Sequence, residues 1–115
     1  MAYKRGGVYL ANFSPSKGSE AGKIRPCVIL QNDLLNEAGH PSTTNLTMTT
    51  HLVEDAVPLR VRVRAREGLE SDSDVMVDQV RTIDNRRFCS DLLTAISPRE
   101  KALIETCLQI VLDLD

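Results

Sequence analysis

The sequence has no tryptophan and few other aromatic residues, namely Tyr3, Tyr9, Phe13 and Phe88. Composition therefore gives poor support to a base-stacking platform of the kind that reads single-stranded nucleic acid. Histidine is confined to His40 and His51, and neither has cysteine or carboxylate partners at zinc-ligand spacing. Cysteine is sparse as well. Cys27, Cys89 and Cys107 are odd in number, scattered and set among apolar residues, which excludes a disulfide framework or a CxxC site and predicts buried free thiols. Neither Gly6-Gly7 nor Gly18 belongs to a phosphate-binding P-loop or a dinucleotide fingerprint. No apolar run suffices for a membrane span. The stretch after Lys4 and Arg5 is broken by Asn12, so no signal peptide is read and a cytoplasmic protein without a membrane partner is expected.

What is present is the composition of one ordinary folded domain, residues 1–115, with 42% hydrophobic and 26% charged residues. A core is affordable at this size but a small one, and dimerisation would add stability. The formal charge of -2 gives no overall field that attracts polyanions. Local charge differs. Arg60, Arg62, Arg64 and Arg66 stand at every second position, followed by Glu67, Glu70, Asp72, Asp74 and Asp78. On one strand face, four guanidiniums would form a basic strip for a polyanion or an acidic protein tail, and Glu54, Asp55 and the acids after Glu67 could relieve their repulsion internally.

Along the chain, residues 8–13 read as a strand, and residues 14–25 as a loop of turn-forming and charged residues. Residues 26–31 read as a central strand apolar on both faces, with Pro26 at its first position. A helical turn is expected over 32–37, a loop over 39–43 and a third strand over 46–50. Residues 59–65 alternate valine and alanine with arginine, the period of a half-exposed strand. A further strand is expected over 75–80. Ser97-Pro98-Arg99-Glu100 combines an N-cap, an N1 proline and a capping box, and Leu103, Ile104, Cys107, Leu108, Val111 and Leu112 follow as one helical stripe. The expected fold is mainly β with helices, a small rolled antiparallel sheet with a C-terminal helix.

Three polar patches could form a phosphate pocket. Arg25 lies where the long loop enters the central strand and could present a planar fork to a phosphate. Thr47 and Thr49 share one strand face, with Thr50 on the other, and any of these hydroxyls could donate to a phosphoryl oxygen. Lys17, Ser19, Glu20 and Lys23 precede Arg25, and Glu20 could accept a proton from a ribose 2′-hydroxyl. Asp78, Gln79 and Arg81 end another strand. Cleavage of RNA through a cyclic phosphate needs a base, an acid and positive charge on the phosphoryl oxygens, but no metal or cofactor.

These patches resemble the MazF/PemK family of toxin endoribonucleases. The matching segments are Gly7-Val8-Tyr9-Leu10-Ala11-Asn12-Phe13, the loop Pro15-Ser16-Lys17-Gly18-Ser19-Glu20, and Arg25-Pro26-Cys27-Val28-Ile29-Leu30. The strand from Thr47 to Thr50, the run Val77-Asp78-Gln79-Val80-Arg81-Thr82-Ile83-Asp84 and the final helix also match. The resemblance implies an SH3-like barrel of the MazF/CcdB type, assembled as a homodimer. It implies metal-independent, sequence-specific cutting of single-stranded RNA to leave 2′,3′-cyclic phosphate and 5′-hydroxyl ends, with growth arrest as the outcome. It implies a cognate antitoxin whose acidic, flexible C-terminal segment occupies the RNA groove. Arg25 matches the catalytic arginine, Thr49 the active-site threonine (Thr50 if the register slips by one) and Glu20 an acidic loop position, the candidate base. Asp78, Gln79 and Arg81 match the RNA groove and dimer region, where Lys17, Ser19, Lys23, Thr47 and Thr50 are further RNA-binding candidates. One departure is Gly6-Gly7, where the family commonly has aspartate after the glycine. Alternatives are a non-cleaving member that binds RNA or protein, and a gyrase-inhibiting toxin on the same barrel.

Overall fold

The computed structural model describes residues 3–13 and 24–114. In chain order these form β1 (Gly7–Asn12), β2 (Ile24–Ile29), α1 (Asp33–Glu37), β3 (Ser42–Thr49), β4 (Arg60–Val63), β5 (Ser73–Asp84), a 3-10 turn (Asn85–Arg87), β6 (Thr94–Ala95) and α2 (Pro98–Val111). The six strands make one antiparallel sheet in the order β4-β5-β3-β2-β1-β6. Its core face carries Val8, Val28, Leu46, Met48, Val61, Val63, Val75 and Val77, closed by Ile104 and Cys107 of α2. The mainly β fold with a C-terminal helix is as expected.

α2 begins where its sequence specifies. Ser97 Oγ accepts from Glu100 N–H, and Glu100 returns a carboxylate oxygen to Ser97 N–H. Its buried stripe is narrower than the apolar residues foretell: Ile104 and Cys107 are buried, Leu108 and Val111 pack against the core, and Leu103 and Leu112 are exposed. Of the cysteines, Cys27 and Cys107 are buried, but Cys89 is exposed, because its backbone N–H reaches across to Leu10 at the sheet's rim.

β3 starts four residues earlier than its apolar content suggests, because polar side chains satisfy one another there. Gln31 donates from Nε2 to Asn36 Oδ1 and Ser42 O and accepts from Thr44 N–H, while Thr43 donates to Asn85 Oδ1 at 2.6 Å. β5 is likewise longer than expected, running to Asp84 alongside the start of β3. Its early half lies between β3 and β4. Its end brings Ile83 onto Ala11 and Cys27, forming a second, smaller cluster on the opposite face with Phe13 and Phe88.

β2 also begins before Pro26, so Arg25 is a strand residue and Pro26 the third position of the strand. The proline fits because Leu10, its partner on β1, turns its N–H away to Ser90 Oγ. The Leu10–Pro26 pair is therefore not hydrogen-bonded, and the missing proline N–H falls on the β3 side. There, pairing with β3 begins only at Cys27. At Gly7, an added Cβ would stand 2.9 Å from Lys4 O, Leu92 Cδ1 and Tyr9 Cε1, so neighbouring groups fill the space that an aspartate would need.

The alternating arginines do not make a four-residue basic strip. β4 ends at Val63, and each arginine meets an acid of its own chain. Arg62 Nε donates to Asp74 Oδ1, Arg60 Nη1 lies 3.6 Å from Asp74 Oδ2, Arg64 lies 3.8 Å from Asp72, and Arg66 forms a two-pronged pair with Glu100 at 2.6 and 2.7 Å. Asp74 is 1% exposed and also accepts from Val53 N–H at 2.9 Å. Burial pushes its pKa up, but the Arg62 and Val53 hydrogen bonds, with the charges of Arg62 and Arg60, outweigh this and hold it below the ordinary 3.8.

An unfolded chain takes up that proton more readily than the folded one, so acid favours unfolding. The urea midpoint is expected to be level above about pH 5 and to fall as the pH drops through the depressed Asp74 value. Asp74→Asn should flatten the acid limb and lower unfolding free energy by about 3 kcal/mol at neutral pH, because it leaves two partly buried guanidiniums with no countercharge beneath them. Equal acid sensitivity in both proteins would contradict this.

Candidate functional site: a polar row across the sheet

Strand alternation and register decide which side chains meet. On the face opposite the main core, Ala11 of β1 pairs with Arg25 of β2, Cys27 pairs with Thr47 of β3, Thr49 pairs with Asp74 of β5, and Asp74 pairs with Arg62 of β4. The last β2–β3 pair is Cys27–Thr47. Projected two residues further along the same register, beyond the last paired residues, Arg25 and Thr49 fall on the same face of the sheet. Arg25 is half-buried, and among the described residues its side chain makes no ion pair or hydrogen bond. Its guanidinium is thus held by a strand and left uncommitted.

Thr49 is 8% exposed, and its Oγ1 accepts from His51 N–H at 3.1 Å. That bond uses an oxygen lone pair and leaves the hydroxyl proton available to an outside acceptor. Thr50 points to the other face, is exposed, and lines a different cleft with Leu10, Pro26, Leu69 and Leu93. Geometry therefore joins Thr49 to Arg25 and sets Thr50 apart. Thr47 shares the Arg25 face, but its Oγ1 is buried, and neither that atom nor the neighbouring Asn45 Oδ1 has a hydrogen-bond partner among the described residues.

The register of β3 with β5 jumps between Leu46–Val80 and Met48–Val75, so that Thr47 alone faces residues 76–79. This irregularity turns Asp78 and Gln79 outward, and both are exposed. Arg81, paired with Asn45, places its guanidinium 4.9 Å from the centre of the Phe13 ring. The structure thus gathers Arg25, Thr47, Thr49 and Arg81 on one face, with Asp78 and Gln79 at the bulge. Lys17, Ser19, Glu20 and Lys23 lie outside the described residues.

Two features of this face were not read from the sequence. The first is aromatic. Tyr3 stacks on Phe88 at 4.2 Å, meets Tyr9 edge-on at 5.0 Å, and Phe13 and Phe88 both flank Cys27. Four aromatics are few for the chain, yet all meet here: Tyr3 from the segment before β1, Tyr9 from β1, Phe13 just after it and Phe88 from the segment after β5. The second is Asp74 with Arg60 and Arg62, directly beside Thr49. Its signal is legible: acids at 72 and 74 share the period of the arginines at 60, 62 and 64, the pattern of cross-strand ion pairs.

Cys27 offers no nucleophile, since burial, helped by Cys89, pushes its thiol up to about 12. Among the described residues, no three histidine, cysteine or acidic side chains are grouped to hold a metal ion, and no helix is long and apolar enough to cross a membrane. The face can therefore offer a fixed cation, an adjacent hydroxyl donor and an aromatic surround, an arrangement suited to a nucleotide phosphate.

Comparison with known proteins gives this arrangement a family. Residues 4–112 match the PemK-like, MazF-like toxin family of type II toxin-antitoxin systems, and the chain belongs to it. The Endoribonuclease EndoA of Bacillus subtilis (strain 168) is 36% identical over 115 residues, covering 99% of this chain and 97% of the relative. A MazE-MazF structure from Deinococcus radiodurans has the same fold, with a TM-score of 0.81 at 21% identity over 100% of both chains. An endoribonuclease from Mycobacterial species in complex with its cognate antitoxin gives 0.76 at 22% identity, over 99% of this chain and 98% of that one.

Replacement of Thr49 tests the geometry. Thr49→Val keeps the strand shape but removes the acceptor for His51 N–H and the free hydroxyl proton. It is expected to lower RNA turnover about a hundredfold, the order of losing one phosphoryl-oxygen donor, whereas Thr50→Val should stay within twofold of the parent. Equal losses would mean that the two faces had been misassigned.

Proposed function

We propose that this chain is the toxin of a type II toxin-antitoxin pair and a sequence-specific, metal-independent endoribonuclease acting on single-stranded RNA. The observation that carries the reading is that Arg25 and Thr49 lie on one face of the sheet just beyond the last β2–β3 pair, Cys27–Thr47. Family membership supports it, as does the 36% identity to a relative named for this activity.

In this reading the RNA phosphate before the cut lies against Arg25 and Thr49. The ribose 2′-hydroxyl gives its proton to the base and attacks the adjoining phosphorus, the bond to the 5′-oxygen breaks, that oxygen takes up a proton from solvent, and the products are a 2′,3′-cyclic phosphate and a 5′-hydroxyl. Negative charge grows on the phosphoryl oxygens along this path. Arg25 stabilises it electrostatically, because a guanidinium gives up its proton too reluctantly to be the acid. Thr49 donates its hydroxyl proton as a hydrogen bond to the same oxygens. Glu20 is assigned as the base for the 2′-hydroxyl. Lys17, Ser19, Lys23, Asp78, Gln79 and Arg81 contact the flanking nucleotides, and the aromatic cluster offers surfaces on which their bases stack.

The partners in this reading are a second copy of the chain, forming a homodimer, and an acidic flexible antitoxin segment that competes with RNA for the same face. The cytoplasm is where such a toxin meets its messenger RNA substrate. A gyrase poison has no use for a rigid cation beside a hydroxyl donor, which is why RNA cleavage is preferred over that activity on the same barrel.

The test is incubation of the purified protein with a long mixed-sequence RNA in excess EDTA, mapping each new end and its chemistry. Discrete cuts bearing cyclic phosphate and 5′-hydroxyl ends are expected, with turnover lowered at least a thousandfold, on the order of losing the principal charge stabiliser, by Arg25→Ala in a protein that still melts cooperatively. Undiminished cleavage by folded Arg25→Ala would remove Arg25 from its role, and no cleavage of RNAs covering all short motifs would overturn the reading.

A further inference from the structure

Arg60 and Arg62 carry one more charge than the buried carboxylate beneath them. Both reach Asp74, Arg62 through Nε and Arg60 through Nη1 at 3.6 Å. Asp74 therefore anchors the inner edge of the Arg62 guanidinium. On the outward edge Glu54 Oε1 lies 3.2 Å from both Nη1 and Nη2, and Nη2 also donates to Val53 O at 3.4 Å. The side chain of Glu54 is 80% exposed, while those of Arg62 and Arg60 are 26% and 23% exposed.

The two ends of this arrangement differ in strength. The inner end is a buried carboxylate held by two guanidiniums and a backbone N–H, which fixes the Arg62 plane. The outer end is a solvent-exposed pair of the kind worth little and screened by salt. One carboxylate oxygen bridging two guanidinium nitrogens occupies the geometry that a phosphate oxygen takes on an arginine fork. Arg62 is also well placed. It pairs across strands with Asp74, Asp74 with Thr49, and Thr49 shares a face with Arg25. Arg62 and Arg25 lie on one face of the sheet, with β5 and β3 between their strands.

We propose that Arg62, steadied by Asp74 and flanked by Arg60, is a second phosphate seat for the bound RNA, and that Glu54 occupies this seat until an RNA phosphate displaces it. The proposal rests on the ribonuclease reading and deepens it, giving the internally paired arginine strand a role in binding. Glu54 keeps the free protein's fork from collecting other anions and is exchanged when RNA lies along the row from Arg25.

The experiment uses an Arg25→Ala background, so that RNA stays whole, and two RNAs containing a mapped cleavage motif. One carries phosphates only around the scissile bond, and the other extends several nucleotides to either side. Glu54→Gln is expected to tighten binding of the longer RNA about two- to fivefold and to leave the shorter one unchanged. Arg62→Gln should weaken the longer RNA about tenfold and reduce the slope of log K against log salt by about 0.7, the loss of one phosphate contact on a single strand. Glu54 is exposed, so Glu54→Gln keeps the test decisive even if Arg62→Gln fails to fold.

No length-dependent response to Glu54→Gln in a protein that cuts RNA with Arg25 intact would overturn the seat and leave the ribonuclease reading standing. A response to an acidic peptide without one to RNA would assign the fork to a protein segment and also overturn the proposal. A protein that neither binds nor cuts any RNA would lose both.

Discussion

Pro26 is the constraint on which the site depends. A residue without an N–H cannot add to the ladder on the side where its missing donor points, and here that side faces β3. β2 and β3 are hydrogen-bonded up to Cys27–Thr47 and no further, although both strands continue. Met48 and Thr49 therefore pair only with β5. The opening leaves Arg25 and Thr49 on one face without tying either to the other's backbone. A guanidinium at a loop tip would lose conformational entropy each time it met a phosphate. One carried by a strand that is paired on its other edge has its backbone fixed already, and only its side-chain torsions remain to be ordered.

The second constraint is electrostatic. Burying Asp74 at 1% exposure would cost several kcal/mol if it were unpaired. The cost is offset because the carboxylate has two arginines and the Val53 N–H around it. These bonds also fix the segment after Thr49: Val53 N–H goes to Asp74, His51 O accepts from Arg60, and His51 N–H goes to Thr49 itself. One buried acid thus ties β4, β5 and the turn beyond β3 together within one turn of the candidate hydroxyl. This gives a small domain with an overall charge of -2 a local surface on which positive charge is fixed in place rather than merely abundant.

Much of this was legible in the sequence where one residue type has one physical consequence. The capping box at Ser97 and Glu100 specified the start of α2, and the Val-Arg alternation specified a half-buried strand. Arg25 and Thr49 were singled out by resemblance and by strand parity, and parity alone separates Thr49 from Thr50. What was not legible depends on partners far away in sequence. Thr43, Thr44 and Asn45 look like loop residues until Gln31 and Asn85 are brought to them. Arg60 to Arg66 look like a basic strip until Asp72, Asp74 and Glu100 arrive from β5 and α2. Four scattered aromatics look too few to matter until β1 and the chain after β5 put Tyr3, Tyr9 and Phe88 in mutual contact.

The same long-range pairing separates stability from recognition within a single sheet. The core face is almost wholly valine, leucine and isoleucine and is closed by α2, so few polar atoms there are free to meet a ligand. The opposite face buries only a small apolar cluster. It keeps polar side chains in its middle, among them two acceptors with no partner among the described residues. Unsatisfied buried acceptors cost about 1–3 kcal/mol each, and a chain of this size has little stability to spare. Among the described residues, both lie on the Arg25 face rather than the core face. Among the described residues, the polar face is thus where the sheet keeps hydrogen-bonding capacity unspent, and Arg25 stands on it beyond the last β2–β3 pair.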